Sequence, residues 1–375
     1  MNQSTKARYV MIGGFLGAGK TTCVARLAQR LTDAGLKVGL ITNDQGSELV
    51  DTAMLRSRGF ATEEIPGGCF CCRFNSLVDA ADKLTEKTRP DVFIAEPVGS
   101  CTDLVATVTY PLRRMYGANF AIAPLSVLVD PIRARRVFGL AEGGKFSDKV
   151  LYIYRKQLEE ADLIVINKRE LLNEVQLAEL QAKLAAEFPR AEIFAVSARS
   201  GAGLVEWFAR LASAEQPGGE SMAVDYEIYA DGEALLGWLN CTATLAATTA
   251  FDGNALLQAL ARRMQELLQA GPAEIAHLKM TLSPTEGLGD LAVINLVRND
   301  FVPELSLELP DAICHGQLII NCRAEAAPGT ILTAVNAALA EVGARFPGLT
   351  VKLEHSEHFR PGKPQPTHRL PCLAD

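Results

Sequence analysis

The chain has 375 residues, and its 37 Lys and Arg against 44 Asp and Glu give a formal net charge of −7. The apolar fraction of 48% excludes a disordered or fibrous chain, and the length predicts two domains rather than one core. The acidic balance argues against a nucleic-acid partner, because neutralising phosphates requires a basic face.

Short apolar runs rich in Val and Ile alternate with helical patterns in the first part of the chain. The runs are Tyr9–Ile12, Val38–Ile41, Val92–Ala95, Val127–Val129, Leu163–Ile166 and Ile193–Val196. Such runs are typical of strands buried on both faces of a parallel sheet. Apolar residues recur at helical spacing in Thr21–Ala34 and Val175–Phe188, and Pro189 ends the second helix. The alternation predicts a doubly wound, mostly parallel α/β domain over residues 1–213.

The pattern changes after a polar, turn-forming stretch at residues 214–220, which we interpret as a linker. Two further helices are predicted at Asn254–Gln269 and about Thr330–Arg345. Strand-like segments surround them at Tyr226–Tyr229, Gly237–Leu245, Leu278–Leu282, Ala292–Val297, Gln317–Arg323 and Thr350–Leu353. This order predicts a smaller α+β domain over residues 222–359, which a ferredoxin-like arrangement would fit. Residues 360–375 form a Pro-rich tail that we expect to be extended.

Neither a membrane span nor a disulfide framework is expected. The most apolar stretch, residues 120–129, is too short to cross a bilayer and is interrupted by Pro124 and Ser126. The amino-terminal residues lack the apolar core of a signal peptide, so we expect a cytoplasmic location in which thiols stay reduced. The nine cysteines must then be packing residues, metal ligands or reactive thiols.

Gly14–Thr21 matches the phosphate-loop pattern in full, after a predicted strand and at the start of a predicted helix. Glycines there let backbone N–H groups surround phosphates, Lys20 supplies positive charge, and the Thr21 hydroxyl suits Mg²⁺. The predicted phosphate-binding residues are Gly14, Gly17, Ala18, Gly19, Lys20, Thr21 and Thr22.

Two strand ends resemble the guanine-specificity elements of GTPases. The first carries Asn167, Lys168 and Glu170, and the second carries Ser197 and Ala198. An acidic residue in the first element would accept hydrogen bonds from the guanine N1–H and amine, which favours GTP. Glu170 stands where Asp is usual, so its extra methylene could relax the preference for GTP. Alternatively, Glu170 merely begins the next helix, where an acidic residue suits the dipole.

Glu96 and Gly99 end another predicted strand. Glu96 can hold Mg²⁺ or its waters, and Gly99 can bring its N–H close to a γ-phosphate; an ordinary strand-end carboxylate is the alternative. The predicted catalytic residues are Lys20, Glu96 and Gly99, and the predicted magnesium ligands are Thr21, Asp44 and Glu96. Asp44 and Asp51 are candidate switch residues. Ser100 stands where small GTPases place a water-orienting Gln, so intrinsic hydrolysis should be slow and stimulated by a metal, a partner or dimerisation.

Cys69, Cys71 and Cys72 form the densest group of potential soft-metal ligands. Thiolates suit Zn²⁺, Co²⁺ or Cu⁺. Adjacent cysteines cannot easily all reach one ion, so two or three should bind, an incomplete set that suits transfer better than permanent retention. The alternative is three buried or merely reactive thiols. Two weaker candidates remain. Cys101 lies near Glu96 and could approach the site, but we interpret it as a packing residue. His355, His358, His368 and Cys372 could form a second metal group, although we interpret the histidines as surface or strand-end residues.

Taken together, the phosphate loop, Gly-Gly-Cys-Phe-Cys-Cys and Glu-Pro-Val-Gly resemble the CobW-like family of P-loop GTPases, relatives of the urease and hydrogenase nickel-accessory GTPases. The resemblance covers residues 9 to about 205. It implies a GTP-dependent metallochaperone or activator that uses GTP, Mg²⁺ and Zn²⁺ or Co²⁺. The implied partner is a metalloprotein or metallocofactor-pathway client, and a homodimer is compatible with it. Glu170 and the lack of a His-rich tract depart from the family pattern.

Two other functions remain open at this point. One is a GTPase that activates or reactivates a corrinoid or other metallocofactor enzyme without delivering metal. The other is a small-molecule kinase, which would need a flexible Arg-rich lid. Arg133, Arg135 and Arg136 are the candidates for such a lid, and the Ser197-Ala198 element argues against it.

Overall fold

A computed structural model describes residues 6–43, 50–286 and 290–373. The described residues divide into two compact units. The first unit comprises residues 6–43, 60–229 and 363–373, and the second comprises residues 50–59, 230–286 and 290–362. These bounds differ from those drawn from the sequence, because residues 50–59 join the second unit and the Pro-rich tail from residue 363 joins the first.

The strands and helices follow one another in a βα alternation and then in an α+β order. The strands are β1 Ala7–Gly14, β2 Val38–Asn43, β3 Ala61–Ile65, β4 Val92–Glu96, β5 Phe120–Ile122, β6 Ser126–Val129, β7 Leu163–Ile166, β8 Glu192–Ala195, β9 Gly219–Glu220, β10 Leu236–Phe251, β11 Glu274–Pro284, β12 Ala292–Leu296, β13 Glu304–Leu307, β14 Ile313–Glu325, β15 Leu349–Phe359 and β16 Cys372–Leu373. The helices are α1 Lys20–Asp33, α2 Val50–Ser57, α3 Phe74–Thr88, α4 Tyr110–Tyr116, α5 Pro131–Val137, α6 Asp148–Glu159, α7 Glu174–Glu187, α8 Leu204–Ser213, α9 Tyr226–Leu235, α10 Gly253–Gln269 and α11 Pro328–Gly343.

The first unit is built on a parallel sheet in the order β3-β2-β4-β1-β6-β7-β8, and β5 also pairs with β1. The short apolar runs form its centre: every residue of β4, β6 and β7 is buried. Strand order reverses at β1, with β2 to β4 on one side and β6 to β8 on the other. In such open sheets ligands bind at the carboxyl ends of strands beside the reversal, which is the end of β1.

The second unit is an antiparallel sheet in the order β13-β12-β11-β14-β10-β15. Four of its strands and two helices follow the chain order β10-α10-β11-β14-α11-β15, which is that of a ferredoxin-like domain with the β12–β13 hairpin inserted. Apolar residues of α10 and α11 share one buried core with the sheet. The sequence prediction of a smaller α+β domain is confirmed.

One predicted element is wrong. Tyr226–Tyr229 was expected to be a strand, but it forms the first turn of α9. Asp225 explains the difference, because its carboxylate accepts hydrogen bonds from the N–H groups of Glu227 and Ile228 and thereby caps a helix. Among the described residues, no helix is both long and apolar enough to cross a membrane.

Candidate functional site: a phosphate loop beside a thiol cluster

The loop between β1 and α1 has the backbone conformation that a phosphate cradle requires. Gly14 and Gly19 have φ values of 128° and 91°, in the left-handed region that favours glycine. A Cβ atom would lie 2.3 Å from the Leu128 carbonyl oxygen at Gly14 and 2.4 Å from Asn167 Nδ2 at Gly19. The ammonium group of Lys20 donates to the Gly14 carbonyl oxygen at 2.9 Å, across the loop. Thr22, by contrast, is exposed on α1.

A hydroxyl and a carboxylate meet beside this loop. Thr21 Oγ1 donates to Glu96 Oε1 at 2.9 Å, and both residues are buried. Gly99 lies against the loop, because a Cβ there would sit 2.7 Å from Leu16 Cδ2. The buried Ser100 hydroxyl has no hydrogen-bond partner among the described residues. A hard-oxygen pair and an anion cradle fit Mg²⁺ and a nucleotide phosphate.

The structure does not describe the side chains of the two predicted switch residues. Asp44 lies between residues 43 and 50, outside the described part of the chain. Asp51 lies in α2, but its side chain is likewise not part of what the structure describes. Asp44 therefore stays a prediction as a magnesium ligand.

The predicted guanine elements connect directly to the phosphate loop through Asn167. Its Nδ2 donates to the Ala18 carbonyl oxygen at 2.9 Å, and its Oδ1 accepts from the Ala198 N–H at 3.1 Å. Ser197 Oγ accepts from the Ser200 N–H at 3.0 Å and so closes the second element into a turn. One buried side chain thus joins three of the predicted nucleotide-binding segments.

Asp130 positions the Lys168 side chain, although no role for Asp130 was predicted from the sequence. The ammonium group of Lys168 donates to Asp130 Oδ2 at 3.0 Å and to the Gly17 carbonyl oxygen at 2.8 Å. Asp130 is 2% exposed and also caps α5 by accepting from the Arg133 N–H at 3.0 Å. An Asp followed by Pro at the end of a strand is a helix-cap signal that could have marked Asp130. Glu170 is exposed on the following single-turn helix.

The arginines considered for a lid are fixed in the fold. Arg133 donates to the Leu16 carbonyl oxygen at 2.6 Å, and its guanidinium stacks over the Phe146 ring at 5.0 Å. Arg135 is buried and pairs with Glu179 at 3.0 Å. Arg136 Nε donates to the Glu142 carbonyl oxygen at 3.2 Å. Packed and paired arginines of this kind do not favour the kinase interpretation.

The three thiols of Cys69, Cys71 and Cys72 converge. The Cys69 sulfur lies 2.8 Å from that of Cys71 and 3.2 Å from that of Cys72, and the last two are 3.7 Å apart. Cys69 and Cys71 are buried, and Cys72 is half-buried. A Zn–S bond of about 2.3 Å puts sulfurs of a tetrahedral site about 3.8 Å apart, so small side-chain movements suffice for all three to share one ion. The three cysteines can therefore share one ion although Cys71 and Cys72 are neighbours in the sequence.

Hydrogen bonding between thiols separates their acidities. Hydrogen bonds from Cys101, Cys71 and Cys72 hold the pKa of Cys69 well below its ordinary value. Donating to Cys69 raises the pKa of Cys71, and the same contact raises the pKa of Cys72 to about 11. Cys69 is thus the most acidic thiol of the three, and the thiolate is the form that binds a metal.

The thiol loop is fastened to the sheet by Asn43, the last residue of β2. Its Nδ2 donates to the Ile65 carbonyl oxygen at 2.9 Å and to the Gly68 carbonyl oxygen at 2.6 Å. Gly67 and Gly68 have φ values of 74° and 151°, which permits the tight entry into the cysteines. The residue before the predicted switch therefore holds the thiol loop in place.

The carboxyl-terminal segment, residues 363–373, covers this loop. The Gln365 N–H donates to Cys72 Sγ at 3.2 Å, and the Thr367 N–H donates to the Cys71 carbonyl oxygen at 2.8 Å. The His368 ring packs edge-on against Phe74 at 5.0 Å. Sequence reasoning predicted an extended tail here but missed this contact, because nothing in a Pro-rich sequence identifies the surface it binds.

Arg369 anchors the same segment. Its Nε donates at 2.8 Å to Asp103 Oδ2, which also accepts from the Tyr226 hydroxyl at 2.6 Å. Asp103 is 1% exposed and has a φ of 64°, a left-handed conformation uncommon outside glycine. Its burial and pairing make it the structural anchor of the tail.

The second proposed metal group is not assembled. His355 and His358 lie on β15 of the second unit, whereas His368 and Cys372 belong to the first. His355 pairs with Glu357 at 3.3 Å. Among the described residues, Cys69, Cys71 and Cys72 form the one group of three or more potential ligands with all ligand atoms within 4.8 Å of one another.

The parallel sheet, the glycine cradle at the end of β1 and the Thr21–Glu96 pair define a phosphate-loop nucleotide-binding domain. The sequence model of the CobW/HypB/UreG nucleotide-binding domain matches residues 8–195, half of the 375-residue chain. The chain therefore belongs to the CobW/HypB/UreG family.

Characterised relatives are similar over the same region. Zinc chaperone YeiR of Escherichia coli (strain K12) is 30% identical over 166 residues, which are 43% of this chain and 46% of that protein. Zinc chaperone CobW of Sinorhizobium sp is 30% identical over 192 residues, 44% of this chain and 51% of that protein. The chain spans about half the length of these curated relatives. The solved structure of the Zn(II)-bound YjiA GTPase from E. coli aligns with 90% of this chain and 99% of its own, at 15% identity and with a TM-score of 0.39.

Proposed function

We propose that this protein is a GTP-binding, slowly GTP-hydrolysing metallochaperone that carries a transition metal on Cys69, Cys71 and Cys72. The observation that supports it most is the convergence of the three thiols, within 4.8 Å of one another, in a loop of the same unit that holds the phosphate loop. A nucleotide site alone would suit many enzymes, but thiols beside it suit a protein that handles soft metal ions.

The nucleotide half of the proposal rests on groups already in position. Backbone N–H groups of the phosphate loop and the Lys20 ammonium would bind the phosphates, and Thr21 with Glu96 would hold Mg²⁺ or its waters. Mg²⁺, when bound, neutralises phosphate charge. Gly99 brings a backbone N–H beside the loop, and Ser100 offers a hydroxyl where a Gln would orient water. The absence of that Gln supports slow intrinsic turnover.

The metal half of the proposal concerns cargo rather than a permanent cofactor. Three thiols leave one position of a tetrahedral Zn²⁺ or Co²⁺ for an exchangeable donor, which favours transfer to a client metalloprotein or metallocofactor pathway. Asn43 joins the thiol loop to the end of β2, so a nucleotide-dependent movement of Asn43 would reach the metal. Reduced thiols require a compartment such as the cytoplasm. A homodimer stays a prediction.

Zinc binding by matched cysteine variants tests the proposal. Wild type should bind one Zn²⁺ per chain in competition with a chelating indicator, and Cys71→Ser/Cys72→Ser should lose that binding. Cys314→Ser, which changes a half-buried cysteine of the second unit, is the control and should bind as wild type does. Equal affinity of the double variant and wild type would refute the thiol site. Binding without transfer to any apo-client would favour the activator function instead.

A further inference from the structure

A fourth thiol touches the cluster from another part of the chain. Cys101 is 1% exposed, and its thiol lies in hydrogen-bond contact with that of Cys69. The sequence suggested packing for this residue, and its contact with the Cys69 thiol adds a reason to consider it as a metal ligand. Cys101 stays outside the group whose sulfurs all lie within 4.8 Å of one another, so it approaches the site on the Cys69 side.

The segment carrying Cys101 also carries the predicted γ-phosphate contacts. Glu96 ends β4, and Gly99 lies against the phosphate loop two residues before Cys101. The segment's conformation is held from α6, because Gln157 Nε2 donates to the carbonyl oxygens of Gly99 at 3.0 Å and Cys101 at 2.8 Å. A displacement of Gly99 by a phosphate would therefore be passed to Cys101 over two peptide units.

We propose that Cys101 is a fourth thiolate ligand, presented to the metal or withdrawn from it by the Glu96–Cys101 segment according to the bound nucleotide. This inference rests on the proposed function, because it needs a metal on Cys69, Cys71 and Cys72. With Cys101 the site is a closed four-sulfur tetrahedron, the arrangement of tightly held zinc. Without it, one position is open to water or a client's ligand, and the metal can leave.

The binding and release of the Cys101 ligand require no redox step. Four thiols and one divalent ion give a tetrathiolate complex, and the protons that remain on the thiols pass to solvent. When Cys101 withdraws, its sulfur–metal bond breaks, a water or client donor takes the open position, and the Cys101 thiolate regains a proton. The charge of the metal does not change, and no oxidant or reductant enters.

The absorption intensity of bound Co²⁺ reports how many sulfur atoms coordinate the ion. Under reducing, anaerobic conditions, Co²⁺ is added to wild type, Cys101→Ala and Cys241→Ala, each loaded with GDP or with a non-hydrolysable GTP analogue. The thiolate-to-cobalt charge-transfer intensity per bound ion follows the number of thiolates. In one nucleotide state, Cys101→Ala should have about a quarter less intensity than wild type, since one sulfur of four is lost. Cys241, equally buried but in the second unit, supplies the control.

Two outcomes separate the inference from the function on which it rests. Equal intensity and affinity of Cys101→Ala and wild type in both nucleotide states would overturn the role of Cys101 and leave the three-thiol chaperone intact. Co²⁺ binding unaffected by Cys71→Ser/Cys72→Ser would overturn both. If Cys101→Ala fails to fold, zinc X-ray absorption of the unmodified protein decides. Four sulfurs in one nucleotide state support the proposal, and three in both states refute it.

Discussion

The side chain of Asn167 connects the two predicted base-binding elements to the phosphate loop. Its amide spans from the Ala18 carbonyl to the Ala198 N–H, while the neighbouring Lys168 reaches Gly17 and is held by Asp130. Buried polar networks of this kind are stabilising only when every member is satisfied. If these elements bind a nucleotide as predicted, a change at one of these residues should weaken the binding of the phosphates and of the base together.

Lys20→Ala should weaken GTP binding by roughly 10- to 100-fold, because a charge-assisted hydrogen bond to phosphate is lost. Isothermal titration with GTP measures the effect. Lys183→Ala removes a lysine of similar chemistry from the exposed pair with Glu187 and should bind GTP as wild type does. Full affinity in Lys20→Ala, with an unchanged circular dichroism spectrum, would show that the phosphate loop is misassigned.

Glu160, the residue after α6, is a buried carboxyl that accepts hydrogen bonds from the segment carrying Asp103, the anchor of the tail. Burial raises its pKa from 4.5 to about 8, although Val105 N–H and the Thr102 hydroxyl donate to it at 3.0 and 3.1 Å. The folded state thus keeps a proton that the unfolded chain loses near 4.5. Its contribution to stability is present below that pH and is lost as the pH rises through about 8.

Glu160→Gln should remove this pH dependence, since the amide does not titrate; its oxygen can accept from the Val105 N–H, and its NH2 group can donate to the Thr102 hydroxyl oxygen. Relative to wild type, the variant should gain up to about 4 kcal/mol between pH 5 and pH 9. Urea unfolding of both proteins at the two pH values measures the difference. A difference that does not change with pH would contradict a raised pKa at Glu160.

At the scale of elements, the carboxyl-terminal segment acts as a strap across the thiol loop. It is bound at Cys72 and Cys71 by Gln365 and Thr367, and it ends in the β9–β16 pairing. Its N–H···S bond to Cys72 favours the thiolate form and at the same time covers the half-buried sulfur. Metal exchange should therefore depend on residues more than 290 positions away along the chain.

Arg369→Ala should loosen the strap, because Asp103 loses a charged partner. Alkylation of Cys72 by iodoacetamide, followed by peptide mass spectrometry, should become roughly tenfold faster, in line with the loss of a charged hydrogen bond. Arg210→Ala breaks the exposed pair with Glu192 in the same unit and serves as the control. An unchanged rate at Cys72 in Arg369→Ala would show that the strap does not protect the thiol.

Sequence patterns predicted the strands and helices that depend on residues close together along the chain. The apolar runs of β6 and β7 are buried throughout, and α7 ends at Glu187, shortly before Pro189. The strand prediction for Tyr226–Tyr229 was wrong. Its two tyrosines are typical of strands, but the Asp225 carboxylate caps a helix that begins at Tyr226. The strap is a contact between distant parts of the chain, and a single sequence carries no signal for it. For Cys101 the sequence offered only its position near Glu96, which does not identify Cys69 as the residue it contacts.

At the scale of the whole molecule, the groups proposed for nucleotide and metal lie in one compact unit. Thr21, Glu96 and Gly99 face the phosphate loop, and the thiols lie in the loop that Asn43 fastens to the sheet. The second unit contributes a ferredoxin-like sheet with its own core. If nucleotide and metal bind to coupled sites, each must alter the affinity of the other by the same factor.

The most direct test of the account is this reciprocity. Zn²⁺ affinity is measured by chelator competition on the full chain saturated with GDP or with a non-hydrolysable GTP analogue, and affinity for the analogue relative to GDP is measured with and without Zn²⁺. The first quantity is the ratio of Zn²⁺ affinities in the two nucleotide states, and the second is the factor by which Zn²⁺ changes the affinity for the analogue relative to GDP. We predict that these two factors are equal and differ from one by at least about fivefold. Zn²⁺ affinity that is the same with both nucleotides would contradict the central claim that the nucleotide controls the metal site.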